Sequence, residues 1–122
     1  MPATSLRSPL TRASAIASGL QVIMVVAGHL IPEIGDQFPV IGTALAAVGG
    51  LLFGIWDRDA TGGKALMGGA LTGALSAFVG ILTAFTLGDT TLSVLVFGPA
   101  SGAIAGAVGG LLGHLLVGRT TR

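Results

Sequence analysis

Cysteine and tyrosine are missing from this chain, and charge is scarce, with 6 Lys and Arg and 5 Asp and Glu in 122 residues. Without cysteine there is no disulfide, no thiolate nucleophile and no cysteine-ligated metal site. Charged residues make up 9% of the sequence, against roughly 25% in ordinary soluble domains. The formal net charge is +1 and no basic cluster could track a phosphate backbone, which excludes a nucleic-acid partner. Also missing are a Ser/His/Asp set, an HxxxH metal pair and a GxxxxGK phosphate loop followed by Ser or Thr. Most Gly-Gly pairs lie inside apolar runs rather than after a strand, so a nucleotide-loop reading fails on context. The expectation is a protein that is not an enzyme and has no catalytic, cofactor-binding or metal-binding residue.

What the chain has instead is apolar length. It is 52% hydrophobic, its mean hydropathy is +0.91 and 21 residues are glycine, without a G-X-Y period. A soluble domain of this size could not hide so much apolar surface in one core, so the bilayer is the expected solvent. The predicted fold is all-α, an integral membrane bundle of four transmembrane helices. Residues 1–12 form a polar basic tail, 13–117 a single transmembrane domain and 118–122 a second polar tail. Pro2 and Pro9 argue against a helix in the first tail. The predicted spans are about 13–31, 40–56, 65–87 and 93–117, of a length to cross a core of about 30 Å, with the second at the lower limit.

Three details of these spans leave alternatives. Arg7 and Arg12, followed by an apolar run and Val25-Val26-Ala27, also fit a secretory signal with a small-residue cleavage site. The run continues to Ile31 and the later segments supply matching topology, which favours a retained span. Pro99 either kinks a helix that starts at Ser93 or occupies the first turn of one that starts near Gly98. His29 and Glu33 would be neighbours on a continuing helix, but Pro32 stands between them.

Charge placement supports the same four spans. Arg7, Arg12, Arg58, Lys64, Arg119 and Arg122 all fall on one side, and Glu33, Asp36 and Asp89 on the other. The positive-inside rule then places both termini in the cytoplasm, across what is expected to be a prokaryotic inner membrane. Trp56 ends the second span, where an interfacial indole is usual.

Every span carries small residues at helical spacing. Gly42, Gly50 and Gly54 line the second, Gly69 and Gly73 the third, and Gly102, Gly106 and Gly110 the fourth. Such stripes let helix backbones approach closely, so the bundle is expected to be packed through glycine. The fourth stripe could face the chain's own helices or another subunit. Pro39–Leu52 and Pro99–Leu112 share eight of fourteen residues at an offset of 60, including AVGGLL. This is either a duplicated two-helix hairpin or a coincidence between two Gly/Ala/Leu-rich helices.

Polar side chains in the spans need individual reasons. Ser18, Gln21 and His29 share a narrow sector of the first span, and Thr72, Ser76 and Thr83 one of the third. Facing each other, they would make a polar seam. Ser and Thr can instead bond back to their own helix carbonyls. His29 and His114, the candidate pH-sensitive groups, lie at opposite membrane faces and could not share one metal ion. In size and span number the chain resembles the small multidrug exporters, but no Asp, Glu, Lys or Arg lies inside a span, so the acid such a mechanism needs is missing.

Two functional classes follow. The first is a non-catalytic interaction, accessory or assembly subunit whose partners are the bilayer and other transmembrane helices, its own or those of a larger complex. The second is a small transporter, channel or holin-like pore-former that uses the polar stripes.

Overall fold

A computed structural model describes residues 8–57 and 61–121. Arg7, Arg58 and Arg122 of the charge pattern, and Met1–Arg7 of the first tail, lie outside the described residues. Among the described residues the chain is helical, with no strand: α1 Pro9–Leu30, the short α2 Pro32–Gly35, α3 Phe38–Trp56, α4 Gly62–Thr86 and α5 Leu92–Thr121. The four long helices are apolar enough to cross a membrane, the architecture of a small membrane protein. At 19 residues α3 spans about 28 Å, and at 30 residues α5 about 45 Å, which exceeds a hydrocarbon core of about 30 Å unless the helix tilts or projects.

Helix ends follow local chemistry and shift several expected boundaries. α1 starts at Pro9, not Ala13, because the Ser8 hydroxyl accepts from the Thr11 N–H at 3.1 Å and Pro9 fits the first turn. The proline read as a helix breaker is part of the start signal. α4 begins at Gly62, inside the expected loop, with Thr61 as its cap and a Lys64 N–H to Oγ1 bond of 3.2 Å. α5 runs without interruption through Pro99 and on to Thr121, so the expected tail from Gly118 is helical and the helix does not begin at Gly98. Glycine at 98 eases the steric restriction that proline places on its predecessor.

The Pro32–Pro39 turn holds one turn of helix. Ile31 before it is extended, with φ −124° and ψ 102°, as the residue preceding a proline should be. The other connection at this end is built on Gly88, whose φ is +80°. The Gly88 N–H reaches the Phe85 carbonyl at 3.0 Å and the Asp89 N–H that of Ala84 at 2.8 Å, a Schellman motif closing α4.

Neighbouring relations follow from which backbones meet. α5 packs on α4 and on α3, α1 packs on α3 and on α4, and α3 also touches α4. α1 and α5 occupy opposite edges of the bundle. Arg12, Trp56, Lys64 and His114 gather at one end, where the Arg12 guanidinium lies 4.5 Å from the Trp56 ring centre and Lys64 Nζ 3.9 Å from Asp57. The turns carrying Glu33, Asp36 and Asp89 form the other end, called the turn end below.

The two segments of the possible repeat, in α3 and α5, lie side by side and run the same way. Gly50 stands against Gly106, Gly54 against Gly110, Gly109 against Ala47 and Gly113 against Leu51. These pairs differ in number by 56 to 62, bracketing the sequence offset of 60.

Candidate functional site

The glycines named from the sequence meet one another. A methyl group built on Gly106 would overlap the Gly69 carbonyl oxygen and stand 2.8 Å from the Gly73 Cα. Methyl groups built on Gly102 and Gly110 would stand 2.6 Å from the Ala77 methyl and 3.0 Å from the Cα of Gly69. On the α3 side Gly50 and Gly54 face the carbonyls of Gly106 and Gly110. The stripe of α5 is thus turned towards the chain's own α3 and α4 along its middle turns.

Gly42 is the exception in this set. The nearest atoms to a Cβ placed there are Gln21 Oε1 at 3.6 Å and Met24 Cε at 3.7 Å, both ordinary contacts, with nothing from α5 within 4 Å. The atoms nearest to a Cβ on its repeat partner Gly102 belong to α4. α3 and α5, in contact at the level of Gly50 and Gly106, therefore part towards the turn end. The gap is a cavity of about 370 Å³. Gln21 of α1 and Ala77, Gly80 and Ala84 of α4 form its buried floor, and exposed Thr43 and Phe97 stand at its rim.

Five of the six candidate seam residues separate into three kinds, and the sixth, His29, pairs at the turn end. Thr72, Ser76 and Thr83 donate to carbonyls of their own helix, those of Gly68, Gly73 and Val79, at 2.9, 3.1 and 2.8 Å. Thr72 and Ser76 are fully buried. Ser18, half-buried, has no hydrogen bond among the described residues, and Ser14 one turn earlier buries an unpaired hydroxyl. Gln21, 2% exposed, is different: its Nε2 donates to the Gly42 carbonyl at 2.9 Å, joining α1 to α3. Oε1 sits between α3 and α4, 3.6 Å from where a Cβ on Gly42 would stand and 3.1 Å from one on Gly80, and nothing among the described residues donates to it.

The α1 and α4 stripes do lie near each other, since a Cβ on Gly80 would stand 3.1 Å from Gln21 Oε1 and one on Gly49 would touch both Ala17 and Thr72. They exchange no hydrogen bond, because the α4 hydroxyls close on their own helix. The polar stripes thus make a packed seam at Thr72 and Ser76 and an open, polar-floored cavity at Gln21.

His29 does not pair with Glu33. The helix breaks at Ile31, and His29 Nδ1 instead lies 2.7 Å from Asp89 Oδ2, tying the end of α1 to the turn after α4. Sequence reasoning placed Asp89 on this side of the bundle without seeing the contact, which spans 60 positions and carries no local signal. His114 is at the far end, its backbone N–H beside Gly54. The two histidines stand at opposite ends of the bundle.

No family model, no curated protein and no solved structure matches this chain. The functional reading rests on its own residues.

Proposed function

We propose that this chain is a non-catalytic, multi-pass membrane protein, an accessory or assembly subunit that works through helix–helix packing. It sits in a prokaryotic inner membrane with both termini in the cytoplasm. The bundle is held by glycine packing, and GxxxG contacts among α3, α4 and α5 are the internal part of that activity.

The observation that carries the external part is Gly19. It lies in the middle of α1, is exposed, and among the described residues no atom of another helix comes within 4 Å of where its Cβ would stand. Other glycines deep within the long helices face a backbone or a side chain. A glycine in a helix interior costs about 1 kcal/mol relative to alanine, which no contact inside the chain explains. Ala15, one turn earlier, is also exposed. The pair makes a shallow place on α1, among Ile16, Leu20 and Ile23, where a second helix could come close.

Substitution at Gly19 can test this without disturbing the bundle. Cross-linking in native membranes should capture a discrete complex with the wild-type chain, and Gly19→Ile should lose it while remaining folded. A chain that cross-links to nothing, or a Gly19→Ile variant that keeps its partner, sinks the proposal.

The cavity above Gln21 favours a second reading, a small transporter or pore. Against a continuous path stands the contact of α3 with α5 below it, which would have to open. Purified protein in liposomes that passes no ion or solute would remove this alternative.

A further inference from the structure

We propose that the cleft between α3 and α5 is a binding site for a small, uncharged, mainly apolar molecule that carries one hydroxyl. It reaches the site through the lipid.

Three observations lead there. The first is the shape of the cleft: its floor is buried, while its rim residues Thr43 and Phe97 are exposed on the flanks of helices that cross the membrane. Thr90 in the turn after α4 also lines it, so the cleft runs from Gln21 up to the turn end and opens there on the flank of the bundle.

The second is Gln21. It is 2% exposed and lines the cleft, and its amide is oriented by the bond from Nε2 to the Gly42 carbonyl. Oε1 remains as an unpartnered acceptor. Thr43, Thr90 and Ser101 also line the cleft but none of them donates to Oε1, and a hydroxyl is the smallest group on a ligand that would satisfy it. No charged side chain lines the cavity, so a charged ligand would have no counter-ion.

The third is size and depth. An apolar cavity of about 150 Å³ accepts benzene, so about 370 Å³ suits a body on the order of a dozen heavy atoms. Gln21 lies nine residues before Leu30, the end of α1, which is about 14 Å along the helix and close to the middle of the bilayer. The hydroxyl of a membrane lipid stays near the interface and does not reach that depth. A small molecule dissolved in the hydrocarbon core does.

The site adds to the packing role proposed above and does not depend on it. A ligand seated here would touch both α3 and α5 where they part.

The test compares a naphthol with the methylnaphthalene of the same shape, by equilibrium dialysis against lipid nanodiscs with and without the protein. The protein-free discs subtract partition into lipid. Wild-type protein should take up one naphthol per chain above that blank, about tenfold more tightly than methylnaphthalene, the margin of one buried hydrogen bond. Gln21→Leu should bring the two affinities together. Gly42→Leu, at a position where a Cβ has room and longer side chains fill the cleft, should remove the excess uptake of both. Should Gln21→Leu fail to fold, Gln21→Met takes its place, and the naphthol margin in the wild type stands as a separate readout. The proposal is overturned by no saturable excess, by equal affinities in the wild type, or by excess uptake that survives Gly42→Leu.

Discussion

Gly42 and Gly106 belong to matching stripes and should respond oppositely to the same change. Gly106 has no space for a methyl group, since that methyl would overlap the Gly69 carbonyl. Gly106→Ala forces α4 and α5 apart and should cost about 2–3 kcal/mol. At Gly42 the methyl makes ordinary contacts at 3.6 and 3.7 Å. Gly42→Ala should be neutral or stabilise by up to about 0.5–1 kcal/mol through helix propensity alone. Unfolding of the two variants in mixed micelles checks the contrast, and equal destabilisation would contradict it. Gln21→Leu falls between them. It removes one hydrogen bond between helices, for which membrane proteins average about 0.6 kcal/mol, so the variant should stay folded. These residues also mark how far the sequence could be read at this scale. Spacing alone identified Gly42, Gly106 and Gln21 as special. It did not separate the first two, because both stand on small-residue stripes and whether a stripe glycine meets a backbone depends on where the neighbouring helices diverge. Nor did it find Gln21's partner, a main-chain carbonyl that every residue possesses.

The ends of the elements show a different kind of signal. Ser8-Pro9 and Thr61-Gly62 each begin a helix by supplying an acceptor for an orphan N–H. Both pairs are visible in the sequence, but apolar length alone starts the spans at Ala13 and Ala65, because a cap is a local hydrogen bond that hydropathy does not register. At Gly88 the backbone is left-handed, so Gly88→Ala should cost about 1 kcal/mol from that conformation. The Schellman turn also delivers Asp89 to His29, so the variant should weaken the tie between α1 and that turn. In a double-mutant cycle, Gly88→Ala and Asp89→Asn should cost less together than the sum of the two. Strict additivity would show that the turn does not position the carboxylate. Pro99 makes the same point in a helix interior: hydropathy and proline rules left two starts open, and α5 runs through it as one element.

At the scale of the whole molecule, the described charges divide between the two ends of the bundle. Arg12 and Lys64 stand near Trp56 and Asp57, and Glu33, Asp36 and Asp89 occupy the turn end. A chain without cysteine is convenient for testing the proposed orientation. Asp36→Cys should react with a membrane-impermeant thiol reagent added to intact cells, and Gly62→Cys only after the cells are opened. The reverse pattern would invert the topology. Among the described residues, no atom of another helix lies within 4 Å of the Gly62 Cβ position, so the label site should not disturb the fold.

The sequence by itself determined that there are four membrane-length helices, roughly where they begin and end, and which residues are small or polar along them. Apolar length is a property of one segment at a time and needs no knowledge of neighbours. Only the tertiary structure decided which faces meet. In lipid the driving force between helices does not come from hiding apolar surface, so inner and outer faces of these helices are alike in apolarity and no stripe announces its partner. Backbone approach at Gly106, the pairing of His29 with Asp89 and the parting of α3 from α5 above Gln21 are products of that assembly.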